Sequence, residues 1–167
     1  FLWLMSGAPE AIERSILRNC ETRLQELYAV ALAYEGAHGS LPNAAGPDFF
    51  QALRGDVESA PKGADAHQGL RGTGLFSESG ADFFRSFTFR DNHGFPVRLG
   101  DPERALAACG NCDEQRHFDV THVLMADGTI RALSLSGMRE QGLIAAGADR
   151  LILGPDSPLP LLRELQP

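Results

Sequence analysis

The chain has 167 residues, 43% of them hydrophobic, with a formal net charge of −7 and an isoelectric point of about 5.2. That length suffices to bury one core. The acidic balance, with lysine only at Lys62 and no basic run, excludes a protein that neutralises phosphates, so no nucleic acid is expected as a partner.

Phe1-Leu-Trp-Leu-Met5 is apolar, but Ser6-Gly-Ala-Pro9 breaks it, and a membrane crossing needs about twenty such residues. Residues 1–8 are therefore read as the end of a truncated membrane segment, and 9–167 as one domain. A long helix is predicted from Pro9 through Tyr34, closing near residue 36. Ile12, Ile16, Cys20, Leu24, Leu27, Ala31 and Tyr34 recur at steps of three and four, which keeps them on one face. Gly36 or Gly39 offers the left-handed residue that lets the chain leave, and Pro42 prevents the helix resuming.

A variable loop is expected over 43–85, interrupted by one or two helical turns at Pro47–Arg54 that end at Gly55. Ser86-Phe-Thr-Phe-Arg90 and Phe95-Pro-Val-Arg-Leu99 alternate around turn residues Asp91–Gly94, predicting a hairpin over 86–99. Asp101-Pro102 predicts the start of a short helix ending near Cys109. Thr121–Ala126 and Thr129–Leu133 flank Asp127-Gly128, predicting a second hairpin over 121–135 with a two-residue type I′ turn. Ser136 is placed as the cap of a last helix through Ala146, followed by a short strand at Arg150–Leu153. A Pro-rich tail closes the chain, with one turn at Leu161–Leu165. The order describes an α+β fold, one long helix laid on a small antiparallel sheet.

Cys109-x2-Cys112-x4-His117-x4-His122 matches the spacing of a zinc knuckle, with His replacing the last Cys. Zinc takes four nitrogen or sulfur ligands, and a tight Cys-x2-Cys turn presents two thiolates to one ion. A Cys109–Cys112 disulfide is the first expectation for this pair in an exported protein, with metal binding and free thiols as the alternatives. Cys20, on the apolar stripe, is read as a small buried hydrophobe. No Gly-x-Ser-x-Gly elbow or phosphate-binding glycine loop is present, and no catalytic residue is assigned.

The helix, its exit at His38-Gly-Ser-Leu-Pro42, and His117-x9-Asp127-Gly128 followed by a strand together resemble type IV pilin-like proteins, in particular the prepilin-type group carrying an H-x9-DG signature. Arg90-Asp-Asn-His-Gly-Phe-Pro-Val97 is similar to the Gly-x-Pro hairpin of type II secretion pseudopilins. Position five is Met5 rather than the family's glutamate, so Phe1 is expected near the end of the apolar anchor. The resemblance implies a non-enzymatic, exported structural subunit, periplasmic or at the cell surface. An N-terminal helix upstream of Phe1 would anchor it in the inner membrane. Its partners would be other pilin-like subunits or a membrane protein complex, met through the helix face Ile12–Tyr34. His117, Asp127 and Gly128 would hold the hairpin in register. The resemblance also raises calcium as a ligand of Asp113, Glu114, Asp119 and Asp127, although no Asp-x-Asp-x-Asp series is present and a solvated acidic loop is the better account of them. The reading from a different class is a small zinc-binding interaction module built on Cys109, Cys112, His117 and His122.

Overall fold

The computed structural model describes residues 8–60, 70, 75, 87–109 and 119–166, with side chains from residue 14 onward. Helix α1 spans Ala8–His38, and its 31 residues rise about 46 Å. It ends as the glycine pattern requires: Gly39 adopts φ +77°, and its N–H bonds the Glu35 carbonyl at 2.7 Å. Helix α2, Gly46–Ser59, is longer than expected and runs through Gly55. It persists because Phe49, Phe50, Leu53 and Val57 are all buried along one face, and their burial outweighs the roughly 1 kcal/mol that an interior glycine costs.

Five strands follow: β1 Phe87–Arg90, β2 Ala105–Cys109, β3 Val120–Met125, β4 Ile130–Ser134 and β5 Leu165–Gln166. They form one antiparallel sheet in the order β4-β3-β2-β1-β5. The fold is thus α+β, with a long N-terminal helix and a five-stranded antiparallel sheet.

Two predicted elements are replaced. Phe95–Leu99 is not a strand, and β1 pairs instead with β2 and β5. Pro96 has no N–H to donate, and the neighbouring groups are already engaged locally: Val97 N–H bonds the Asn92 side chain at 2.8 Å, and the Phe95 carbonyl accepts from the Arg90 guanidinium. The helix expected from Asp101 to Cys109 is the central strand β2. Ala105-Leu-Ala-Ala-Cys109 has helix-forming composition, yet all five residues are buried. Covering on both faces favours a strand there; tertiary burial overrides local preference.

The second hairpin is present as β3–β4, with a different turn. Gly128 has φ +86°, and among the described residues, Asp127 included, no non-glycine residue has positive φ, which rules out type I′ at Asp127-Gly128. Asp127 accepts from Thr129 N–H at 2.9 Å and from Thr129 Oγ1 at 2.7 Å, closing a longer turn that ends in a left-handed glycine. The last helix, α3, spans only Leu135–Glu140, capped by Ser134 rather than Ser136. Gly142, at φ +69°, turns the chain away from it. Leu151–Leu153 forms no strand. The tail instead makes a 3₁₀ turn at Pro160–Leu162 and returns as edge strand β5.

The sheet is covered on both faces. On one, Leu24, Leu27, Val30 and Ala31 of α1 and Phe49, Phe50 and Leu53 of α2 pack with Phe87, Phe89, Leu106, Ala107 and Leu124. On the other, Ala108, Val123 and Met125 pack beneath Leu135, Met138, Leu151, Leu162 and Leu165. Arg90 ties the C-terminal segment to the middle of the sheet: it is fully buried, donating to the Ala105 carbonyl at 2.8 Å and to Glu164 at 2.7 Å. Its charge is disfavoured by burial, with Glu164 the compensating partner.

Candidate functional site

The expected helix face divides into three parts. Cys20, Leu24, Leu27 and Ala31 are buried against the sheet, and Val30 joins them. Tyr34 packs at the margin of the core. Ile16, one turn upstream of Cys20, continues the stripe but stands 37% exposed, and none of the residues from 14 to 19 is buried. The side chain of Ile12 lies outside the described residues, as do Phe1–Met5. Among the described residues no helix is long and apolar enough to cross a membrane.

Cys20 is not a lone buried thiol. It is disulfide-bonded to Cys109, 89 positions away, with the two Cα atoms 6.8 Å apart. This overturns the expected Cys109–Cys112 pairing, and with Cys109 so engaged the zinc knuckle of Cys109, Cys112, His117 and His122 does not stand as drawn. Helix α1 lies across the sheet where β2 ends, so the first buried residue among the helix's described side chains meets the last residue of the strand. Cys112 and His117 lie outside the described residues, as do Asp113 and Glu114.

His122 completes the cluster. It sits on β3, 3% exposed, two residues before core Leu124. A ring nitrogen and the sulfurs of Cys20 and Cys109 all fall within 4.8 Å of one another. The Nε2 atom faces Glu21 Oε1 at 3.4 Å, while Nδ1 is buried with no hydrogen-bond partner. Burial pushes the imidazole pKa down, and Glu21 offsets part of that shift. The unsatisfied nitrogen is itself costly, about 1–3 kcal/mol by comparison with buried polar groups elsewhere.

Sequence reasoning identified Cys109 and His122 as potential ligands but missed Cys20 and Glu21 as their neighbours. The available signal was the odd cysteine on the buried stripe of a helix that must cover the sheet.

The acidic residues serve local structure. Asp119 accepts from Ser136 Oγ at 2.6 Å, Ser134 Oγ at 2.8 Å and Ser136 N–H at 2.7 Å, and these donors hold its carboxyl below the usual range. Asp127 is likewise lowered, by its bonds to Thr129. Among the described residues the only group of His, Cys, Asp or Glu with metal-ligand spacing is Cys20, Cys109 and His122; of the four acids considered for calcium, Asp113 and Glu114 lie outside the described residues.

The Asp127-Gly128 part of the signature sits at the tip of β3–β4, against α1. A Cβ on Gly128 would meet the Tyr28 ring at 2.5 Å. Comparison with known protein families, characterised proteins and solved structures gives no match for the chain.

Proposed function

We propose that the protein is a non-enzymatic, exported, pilin-like structural subunit. Its body is the sheet-and-helix unit, and its α1 is the lever by which it meets neighbouring helix-bearing subunits or a membrane complex. The observation that carries this reading is the stripe on α1. Four of its residues, Cys20 to Ala31, are covered by the sheet, while Ile16 extends the same stripe into solvent. A helix whose apolar stripe runs past the cover that the described residues give it is suited to pack on another molecule. The Cys20–Cys109 disulfide supports an oxidising compartment. The position of Asp127-Gly128 under α1 supports the structural role that the pilin-like resemblance gives that motif.

The test is site-specific photo-crosslinking in cells expressing the full-length gene, with the photoreactive residue at Ile16 or, as a control, at Ile152. Ile152 is 54% exposed and lies on the C-terminal segment. Crosslinks from Ile16 to a second subunit bearing a long N-terminal helix, abolished by fractionation before export, support the reading. A protein that remains cytosolic, with reduced cysteines and no crosslink from Ile16, overturns it.

A further inference from the structure

The pilin-like reading uses Cys20 and Cys109 only as a disulfide and gives the buried His122 beside them no part, and the arrangement of the three is more specific than a structural disulfide requires. Three donor atoms from three elements, α1, β2 and β3, converge within 4.8 Å. A hydrocarbon side chain on β3 would fill the place of His122 without leaving a buried nitrogen unpaired. We propose that, when the disulfide is reduced, Cys20 Sγ, Cys109 Sγ and His122 Nδ1 bind one zinc-class divalent cation, making the seam between α1 and the sheet a redox-exchangeable metal site. This goes beyond the pilin-like reading and does not depend on it.

The ring supplies the main argument. Nε2 lies 3.4 Å from Glu21 Oε1, and the tautomer with its proton on that side leaves Nδ1, which is buried without a hydrogen-bond partner, free to ligate. Carboxylate to imidazole to metal is the usual outer-shell arrangement for a ligating histidine. Two thiolates and one imidazole are a recognised three-ligand zinc set whose fourth position is held by water. Metal–sulfur bonds of about 2.3 Å and metal–nitrogen bonds of about 2.0–2.1 Å demand that the sulfurs part when the S–S bond opens, while the ring nitrogen stays close to where it is.

The chemistry balances with a dithiol as reductant. A thiolate of the dithiol attacks one sulfur of the Cys20–Cys109 bond, and the resulting mixed disulfide is resolved by its second thiol. Two electrons and two protons pass to Cys20 and Cys109, and the dithiol leaves as its cyclic disulfide. Binding the cation then releases both thiol protons to solvent, as two metal–sulfur bonds and one metal–nitrogen bond form. A disulfide oxidant reverses the sequence and expels the ion.

Purified full chain, reduced with dithiothreitol and desalted without oxygen, is titrated with Co²⁺ and then with Zn²⁺. The expected result is one Co²⁺ per reduced chain, with thiolate charge-transfer and tetrahedral d–d bands that Zn²⁺ abolishes, and no such bands for the oxidised chain. Cys20→Ser and His122→Ala each weaken binding at least about tenfold, Glu21→Gln weakens it by about tenfold, and Cys112→Ser leaves it unchanged. If the reduced chain is unfolded without metal, recovery of its circular dichroism with one equivalent of Zn²⁺ supports the site, and failure to recover overturns it. His122→Ala keeps both thiols, so it separates loss of a ligand from loss of the crosslink. Absence of tetrahedral bands in folded reduced protein overturns the proposal. So does binding that Cys112→Ser abolishes while His122→Ala leaves it intact.

Discussion

The ring of Tyr28 on α1 occupies the space that a side chain at Gly128 would need, so the tip of the β3–β4 hairpin touches the helix through bare backbone. A Cβ at 128 would lie 2.5 Å from Tyr28 Cε1, and the residue already holds φ +86°. The tyrosine hydroxyl titrates higher than usual because burial disfavours its charged form, with Asp127 and Glu35 adding to the effect.

Gly128→Ala therefore combines two penalties, left-handed backbone strain and a steric clash. Together they are expected to cost about 2–4 kcal/mol of stability. In a Tyr28→Ala background the clash disappears and the same substitution costs only about 1–2 kcal/mol. Urea unfolding of the four proteins in this cycle measures both parts. Equal costs in the two backgrounds would show that Tyr28 exerts no steric constraint on the turn.

Glu164 anchors the C-terminal strand through two arginines, at 2.7 Å to Arg90 and 2.8 Å to Arg104. Glu164→Ala leaves the buried Arg90 guanidinium without its carboxylate and should destabilise the fold by about 3–5 kcal/mol. Arg104→Ala removes a partner whose side chain is 38% exposed and should cost no more than about 1 kcal/mol. Hydrogen exchange at the amides of β1 and β5 should accelerate in the first variant and not in the second.

His122 should make the oxidised protein less stable in acid. Its pKa is lowered in the folded chain by burial, whereas in the unfolded chain it returns to about 6.5. Between those two values the unfolded state binds the additional proton, so stability rises with pH. The neutral-imidazole contribution is complete above about pH 6.5 and declines as the pH falls toward the folded-state value. His122→Leu should remove this part of the dependence, seen as a smaller difference between urea midpoints at about pH 7.5 and about pH 5.5. An unchanged difference would show that other groups set the acid sensitivity.

The features that were legible in the chain are those whose signal is local. The spacing of Cys20, Leu24, Leu27 and Ala31 defines a helix face without reference to anything distant, and Asp127-Gly128 between apolar runs marks a hairpin within a dozen residues. Its turn type was misread because the residue pair suggests two left-handed positions, while Asp127 is held by Thr129 and only Gly128 crosses to positive φ. Strand β2 was hidden because Ala105–Cys109 has the composition of a helix, and its covering on both faces comes from segments far along the chain. The pairing of β1 with β5 joins Phe89 to Gln166, a contact no short window reveals. That Cys109 and His122 are residue types able to ligate a metal was visible in the sequence. That their neighbour would be Cys20 was not, because it depends on where α1 lies across the sheet.

The sulfur bridge also gives the molecule a closed covalent circuit. Residues 20 through 109 form one ring, from which the N-terminal part of α1 and the β3–β5 half leave as two tails. A single cut anywhere between Cys20 and Cys109 opens that ring into an uninterrupted thread rather than dividing the protein into pieces. The nicked chain would keep its full mass in a denaturing gel without reductant and separate into two bands only with it. Cleavage inside the ring therefore leaves the two halves of the chain joined for as long as the bridge is intact.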